Sequence, residues 1–149
     1  MTVRALLQRV LRAEVRVADA TIAVIGPGLV VLLGVGRDDE DGTAAALARR
    51  VAELRIFEDD AGRMNRSLLE VNGSALVVSQ FTLYADTRHG RRPSFTDAAP
   101  PERAERLWQS FCRHLAEAGV PVARGRFGAK MEVELVNDGP VTLWLDTDR

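Results

Sequence analysis

The placement of the extended apolar segments limits the fold of this chain more than any other feature, because these segments lie mainly at its two ends. Three patterns of β type open the chain, at about residues 2–18, 21–25 and 29–35. Three more close it, at residues 120–126, 129–136 and 141–145. Strands gathered in this way, rather than alternating regularly with helices, favour a mixed and partly antiparallel sheet over a doubly wound parallel one.

The middle of the chain contains two helical patterns and one further strand. Apolar residues recur at helical spacing from Gly42 to Phe57, and again from Pro101 to a predicted C-terminal cap at Gly119. Between the two helices, residues 75–83 are apolar and β-branched, as in a buried strand. The predicted order is βββαβαβββ. It indicates an α+β fold, with a mixed, largely antiparallel β-sheet or partial barrel and two helices.

Length and cysteine content indicate one domain that folds without covalent or metal staples. A chain of 149 residues, 46% of them hydrophobic, buries on the order of 70% of its unfolded surface, so we expect a single domain over residues 1–149. Cys112 is the only cysteine, and His89 and His114 are the only histidines. A disulfide within the chain is therefore excluded, and a zinc site would have to recruit carboxylates. We predict no metal and no cofactor.

The charge balance limits the partners of the chain. Its formal net charge is -1, so the whole molecule has no field that attracts nucleic acid or anionic lipid, and a polyanion must bind a local patch. No apolar run approaches the roughly 18 residues that a membrane span needs. We therefore expect a cytoplasmic protein without a membrane partner.

Several common catalytic patterns are poorly represented. His114 falls beside the apolar face of the second predicted helix and His89 lies in an arginine-rich loop, so neither is placed beside a nucleophile as a triad requires. The Gly34-Val35-Gly36 segment lacks the third glycine of a dinucleotide fingerprint and the Gly-Lys-Ser/Thr of a phosphate-binding loop. These patterns argue against a histidine-based hydrolase and against a nucleotide-binding loop.

Two polar segments interrupt the apolar strands. Residues 79–83 read Ser-Gln-Phe-Thr-Leu, and an unpaired hydroxyl or amide in such a strand costs about 1 to 3 kcal/mol. Residues 137–142 read Asn-Asp-Gly-Pro-Val-Thr, a set of turn-favouring residues between two predicted strands. Their Gly-Pro bond can be cis or trans, because the two forms differ by only about 0.5 to 1 kcal/mol. The long loop at 84–100 also suggests a function.

Together the two polar segments resemble the SQxTL and NxGPxT motif pair of the D-aminoacyl-tRNA deacylases, the chiral-proofreading enzymes of translation. The resemblance covers the whole chain. Supporting segments are Gln8-Arg9-Val10, Gly26 to Leu29, Leu54 to Phe57, Tyr84 to Thr87, Gly90 to Phe95 and Phe127 to Ala129. Either motif alone is weak, whereas both at this separation and within matching flanks are specific.

The resemblance implies a hydrolase that cleaves D-aminoacyl-tRNA, and glycine wrongly attached to alanine tRNA, to free tRNA and amino acid. It implies a homodimer with the active sites at the interface. Gly139 and Pro140 of one subunit, joined by a cis bond, would enter the pocket of the other and leave no room for an L side chain. A related subgroup with altered motifs is thought to hold this bond trans and to tolerate L substrates. The intact Ser79, Gln80 and Asn137 favour the chiral type.

The resemblance also assigns roles at the reaction centre. The main-chain N–H groups of Phe81 and Thr82 are expected to hold the oxyanion, while Ser79 and Gln80 fix the strand and the ribose. An aminoacyl ester is already activated, so positioning and oxyanion stabilisation can suffice. The attacking group is either the Thr82 hydroxyl or, as we prefer, a water assisted by the terminal ribose hydroxyl.

The remaining candidate residues bind substrate. Gly139, Pro140 and Asn137 form and lock the filter, and Met131 is either a pocket wall or plain core. Candidate tRNA phosphate contacts are Arg88, Arg91 and Arg92 in the loop and Arg124, Arg126 and Lys130 near the C-terminal strands. A solvated charge run is the competing interpretation of these basic residues.

Two other functions stay open at the level of sequence. One is a non-catalytic RNA-binding or small-molecule-binding module of the same fold, which would keep its affinity and show no hydrolysis. The other is a general amino-acid esterase that uses Thr82 or Ser79, which would cleave esters that lack a ribose.

Overall fold

The computed structural model describes residues 3–147, so positions 1, 2, 148 and 149 of the predicted domain lie outside the described residues. Within this range the chain forms eight strands and two helices. The strands are β1 (Arg4–Val17), β2 (Ala20–Ile25), β3 (Gly28–Gly34), β4 (Phe57–Glu58), β5 (Met64–Arg66), β6 (Ser74–Ser79), β7 (Val122–Arg124) and β8 (Glu132–Asp146). The helices are α1 (Asp41–Glu53) and α2 (Pro101–Glu117), and a 3-10 turn covers Phe81–Tyr84.

β1 is the central strand of a six-stranded mixed sheet. One of its edges pairs antiparallel with β3 over residues 4–10 and with β2 over residues 13–17, and its other edge pairs antiparallel with β8. β6 and β7 extend the sheet beyond β3 by parallel pairing. The order of elements and the curled, mixed sheet confirm the predicted α+β fold with a partial barrel and two helices.

The core has two parts, because successive residues of a strand point to opposite faces of the sheet. On one face, α1 and α2 pack through Leu47 and Phe111 against sheet residues that include Leu7. On the other face, Val10 and Leu76 belong to a second apolar cluster. Among residues 3–147, no helix combines the length and the hydropathy that crossing a membrane would require.

The largest differences from the predicted boundaries are at the ends of one strand and one helix. The predicted strand at 75–83 ends at Ser79 and passes into the 3-10 turn, and α1 ends at Glu53 instead of Phe57. In addition, β4 and β5 form a small antiparallel hairpin. Strands of two and three residues are too short to show a periodicity, so the sequence patterns do not indicate this hairpin.

The two predicted strands at 129–136 and 141–145 are halves of one strand, β8. Asn137 pairs with Val10 and Thr142 pairs with Gln8, so the four residues 138–141 stand opposite the single residue Arg9. Extra residues on one strand form a bulge, and pairing resumes beyond it. The Gly-Pro segment is therefore a corner that projects from a continuous strand.

Candidate active site

The first polar segment forms a turn at the end of β6. The Gln80 N–H donates to the Leu33 carbonyl of β3 (2.8 Å), and the chain then enters the 3-10 turn. The first N–H groups of any helical turn have no partner within it. Among residues 3–147, no backbone carbonyl accepts a hydrogen bond from the N–H of Phe81 or Thr82. Both groups are therefore available to an oxygen atom of a bound molecule.

A cavity of about 550 Å³ opens beside this turn. Ser79, Gln80 and Phe81 contribute to its lining on one side, and Met131, the residue before β8, also contributes. Phe81 is 55% exposed, and its ring packs edge-on against that of Phe95 with 5.0 Å between centroids. The volume lies within the range of small-molecule sites, so the cavity can enclose an aminoacyl group or a nucleoside, but not a folded RNA.

The polar groups of the cavity are neutral. Of the described residues that line it, none carries an ionisable side chain. The Gln80 amide donates a hydrogen bond to the Thr82 hydroxyl oxygen, so these two side chains are held together at the mouth of the turn. A hydroxyl without a neighbouring base is a poor nucleophile, whereas N–H groups aimed at a developing oxyanion act without any proton transfer.

The second polar segment is a tightly bonded corner. Its Gly139–Pro140 peptide bond is cis, which answers the question that the sequence left open. The Asn137 side chain spans the corner: its Oδ1 accepts from the Val141 N–H (2.8 Å), and its Nδ2 donates to the Val141 carbonyl and the Thr142 hydroxyl (both 3.2 Å). Asn137 is thus placed to hold the backbone around Gly139 and Pro140.

An arginine supports the corner from inside the fold. Arg9 is only 4% exposed, and its Nε donates to the Asp138 carbonyl (3.0 Å) while Nη1 donates to the Ile56 carbonyl (2.8 Å). Its guanidinium also lies 3.6 Å from carboxylates of Glu58 and Asp138. Buried charges need such pairing, because an unpaired one carries a large desolvation cost. The sequence analysis gave Arg9 no role. The signal that could have indicated one is its alternation with the buried Leu7 of β1, which places a charged side chain on the buried face of the strand.

The structure brings together only part of the predicted site. Ser79, Gln80, Phe81 and Met131 meet at the cavity, with Thr82 next in the turn. Gly139 and Pro140 are exposed at the corner and do not line this cavity in the same chain. The Met131 side chain packs against the backbone of Gly125. A Cβ added to Gly125 would lie 2.9 Å from the Met131 sulfur, so a larger residue there would displace this side chain.

The basic residues of the loop differ in their availability. Arg88 donates to both carboxylate oxygens of Asp86 (2.9 and 2.8 Å), and these hydrogen bonds lower the pKa of Asp86. Arg91, Arg92 and Lys130 are exposed, and none of them takes part in an ion pair among residues 3–147. The unpaired charges are therefore the better placed of these candidates for contacts with phosphate.

Ser110, Cys112 and His114 do not line the cavity. Ser110, His114 and Asp41 meet between the helices, but the Ser110 hydroxyl donates to Asp41 instead of contacting the imidazole, so the group does not form a triad. Burial raises the pKa of the Cys112 thiol to about 11. Among residues 3–147, no three His, Cys, Asp or Glu side chains are grouped as ligands for a metal ion.

The family model and the relatives that match this chain all name tRNA deacylases. Residues 6–146 match the family model described as D-Tyr-tRNA(Tyr) deacylase. The chain is 60% identical over 144 residues to a D-aminoacyl-tRNA deacylase of Thermomicrobium roseum, with 97% of this chain and 94% of the relative covered. It is also 60% identical over 143 residues to a D-aminoacyl-tRNA deacylase of Dinoroseobacter shibae, with 96% and 99% covered.

Two solved structures share the fold. One, described as a c-Myc DNA unwinding element binding protein, has a TM-score of 0.90 and 39% identity, with 95% of this chain and 97% of that one covered. The other, described as a probable eukaryotic D-amino acid tRNA deacylase, has a TM-score of 0.85 at 20% identity and covers 98% of this chain and all of its own. From the match over residues 6–146 and the 60% identity, we conclude that the chain belongs to the D-Tyr-tRNA(Tyr) deacylase family.

Proposed function

We propose that this hydrolase cleaves D-aminoacyl-tRNA with the turn at 79–82 as its reaction centre and the Gly139–Pro140 corner of a second copy as its chiral filter. As a family member, the chain is a D-aminoacyl-tRNA deacylase that acts on the ester between amino acid and tRNA. The observation that supports the finer proposal is a cavity lined by neutral side chains, with no ionisable group among its described lining residues, beside a turn whose Phe81 and Thr82 N–H groups donate to no backbone carbonyl.

The N–H groups of Phe81 and Thr82 are the proposed oxyanion donors. Ester hydrolysis passes through a tetrahedral state in which the carbonyl oxygen becomes negative. Two N–H groups without a backbone acceptor at the start of the turn match that charge, because each can donate a hydrogen bond to the developing oxyanion. The donor groups are backbone atoms, so substitution of their own side chains would leave them in place.

The attacking group in this proposal is a water assisted by the terminal ribose hydroxyl of the tRNA. The Thr82 hydroxyl accepts a hydrogen bond from Gln80, and no base lines the described cavity to take its proton. The neighbouring hydroxyl of the ribose is in reach of the ester in every aminoacyl-tRNA. The substrate therefore supplies the proton-transfer group that the cavity does not.

The filter requires a homodimer. Within one chain the corner is exposed and separate from the cavity, so its carbonyl groups can reach a reaction centre only in another copy. A two-fold axis would create two such sites at once. Carbonyl oxygens from Gly139 and Pro140 would accept hydrogen bonds from the α-amino group and occupy the space of an L side chain. The D side chain would point outward, so many D-amino acids fit, and glycine, which has no side chain, would also be removed from alanine tRNA.

The tRNA body would lie over the exposed basic residues Arg91, Arg92 and Lys130. Arg88 contributes less to this surface, because Asp86 neutralises its charge. We further propose that residues 1–149 act as one domain, in the cytoplasm where tRNA is charged, without metal or cofactor.

One experiment tests the reaction and its filter together. The protein is incubated with D-tyrosyl-tRNA, L-tyrosyl-tRNA, and D-tyrosyl-tRNA that carries a 2′-deoxy terminal ribose. We expect hydrolysis of the first substrate alone. Equal cleavage of both enantiomers would contradict the filter, and unimpaired cleavage of the deoxy substrate would contradict assistance by the ribose.

The two alternative functions give different results in the same assay. A binding module would retain D-tyrosyl-tRNA without hydrolysis. A general esterase would cleave D-tyrosine methyl ester as readily as the tRNA ester, and either Thr82→Ala or Ser79→Ala would abolish both reactions. Sedimentation of the protein as a monomer at assay concentration, with full activity, would contradict the composite site.

A further inference from the structure

The 3-10 turn packs directly against the backbone of β3 at Gly34. A Cβ added to Gly34 would lie 3.0 Å from the Leu83 Cβ and 3.1 Å from the Gln80 carbonyl oxygen, so the turn contacts the strand backbone where a side chain would otherwise stand. In the ladder between β1 and β3, Arg4 pairs with Gly34. Paired residues of a ladder point to the same face of the sheet, so the Arg4 side chain emerges beside the turn.

Arg4 contacts two groups of the turn and one aromatic ring of β8. Its Nη1 donates to the Leu83 carbonyl (2.9 Å). Its guanidinium carbon lies 4.2 Å from the centre of the Tyr84 ring and 5.7 Å from that of Trp144 on β8, distances at which a cation and an aromatic ring attract each other. Tyr84 is 3% exposed, so the inner ring is a fixed surface against which the guanidinium lies.

The turn is consequently held at both of its ends. At its start, the Gln80 N–H is bonded to β3, and at its end the Leu83 carbonyl is bonded to β1 through Arg4. The N–H groups of Phe81 and Thr82 lie between these two anchors. A 3-10 turn of four residues has few internal hydrogen bonds to fix its peptide planes, so the direction of the two N–H groups depends on the anchors.

We infer that Arg4 is a positioning residue for hydrolysis: by holding the Leu83 carbonyl it fixes the direction of the Phe81 and Thr82 N–H groups toward the oxyanion. This inference rests on the proposed function. Arg4 contacts neither ester nor ribose in it, and its effect is transmitted through the backbone of the turn. The expected effect is on the rate of the chemical step and not on the binding of tRNA.

A phosphate contact is the competing role for an arginine at this place. Arg4 lines a small polar cavity of about 350 Å³ together with Asp86, Arg88 and Asp97. The two carboxylates balance the two guanidinium groups, so a phosphate would enter a site without net positive charge. The geometry therefore favours a structural partner for Arg4, and the two roles differ in which kinetic quantity they affect.

The test compares three variants with the wild type in single-turnover hydrolysis of D-tyrosyl-tRNA by excess dimer. Arg4→Met keeps an unbranched stem against the rings and removes the donor, and Arg4→Lys restores a donor. Arg12→Ala, an exposed arginine of the same strand paired with Glu134 (3.1 Å), is the matched control. Thermal unfolding of each variant checks its fold. If Arg4→Met does not fold, Trp144→Leu, which removes only the outer ring, is used as the test variant in its place.

We expect Arg4→Met to lower the maximal rate by about 10- to 100-fold, because a misdirected oxyanion donor loses much of its effect. In Arg4→Met the enzyme concentration at half-maximal rate should change less than about twofold, and Arg4→Lys should recover most of the maximal rate. In Trp144→Leu the maximal rate should fall about threefold, since this variant keeps the hydrogen bond from Arg4 to the Leu83 carbonyl. A maximal rate within about twofold of wild type in Arg4→Met, a loss confined to the half-saturating concentration, or no recovery in Arg4→Lys would overturn the inference. An inactive wild type and Arg12→Ala would instead refute the proposed function itself.

Discussion

Replacing Gly139 with alanine tests whether the corner acts through its backbone. Gly139 has a φ of +144°, and an added Cβ would lie 2.8 Å from the Val141 Cγ2 and 2.9 Å from the Val141 nitrogen. The side chain of Val141 can rotate away, whereas its nitrogen is fixed by the hydrogen bond to Asn137 (2.8 Å). The corner itself must therefore move to accept the methyl group.

The size of the effect follows from these contacts. A residue other than glycine in a sparsely populated backbone region costs about 1 to 3 kcal/mol, and overpacking costs about 1 to 3 kcal/mol more where the surroundings cannot yield. Gly139 is exposed, so the corner can shift outward, and we expect a loss of about 2 to 3 kcal/mol in the free energy of unfolding. A shift of about 1 Å in the filter carbonyls should lower the rate on D-tyrosyl-tRNA by about 100-fold.

The assay pairs urea unfolding with single-turnover hydrolysis of D- and L-tyrosyl-tRNA. Gly62→Ala is the matched control, because Gly62 has a φ of +77° and nothing within 4 Å of an added Cβ, so it carries the backbone cost of about 1 kcal/mol without a collision. Its hydrolysis should equal that of the wild type. Wild-type stability and rate in Gly139→Ala, or equal losses of activity in both variants, would refute the reasoning.

Three further substitutions address the other polar groups. Asn137→Ala leaves the N–H of the buried Val141 without its acceptor, so urea unfolding should show a loss of about 1 to 3 kcal/mol, together with slower hydrolysis. Thr82→Val keeps the shape and removes the hydroxyl, and it should retain hydrolysis within about tenfold if water attacks, whereas a loss of activity beyond about a thousandfold would identify the hydroxyl as nucleophile. Asp86→Asn releases Arg88, so tRNA affinity should rise and its logarithmic salt dependence should steepen by about 0.9. In the wild type, Arg88 lowers the pKa of Asp86, so the pair is intact at neutral pH and lost as the pH falls through that lowered value; the affinity difference between wild type and Asp86→Asn should therefore be unchanged between pH 6 and 8.

Periodicity located the elements with large apolar faces, because burial dictates their spacing. The helix from Pro101 and the three opening strands follow directly from it. Periodicity did not locate the end of β6, since Phe81 and Leu83 continue the apolar pattern of the strand. The turn there is set by tertiary contacts, in which Gly34 leaves the space and Leu33 supplies the acceptor, and residues this distant in sequence give no local signal.

The corner shows the same division between local and distant causes. The turn-forming residues around Pro140 correctly indicate a break in regular strand geometry. Continuation of β8 on both sides of the break depends on pairing with β1, more than 110 residues earlier in the chain, and no local pattern reports that pairing. Likewise, Arg9 is recognisable as an inward-facing charge, but its partners at Ile56 and Asp138 come from two other elements.

The separation of the corner from the cavity of its own chain has a genetic consequence in the proposed dimer. Each centre would draw its turn from one protomer and its corner from the other. A protomer impaired at the turn, mixed with one impaired at Gly139, would assemble hybrids in which one centre combines both lesions and the other combines two intact halves. Two inactive alleles would thus restore each other, whereas a doubly altered protomer would silence both centres of any hybrid it joins.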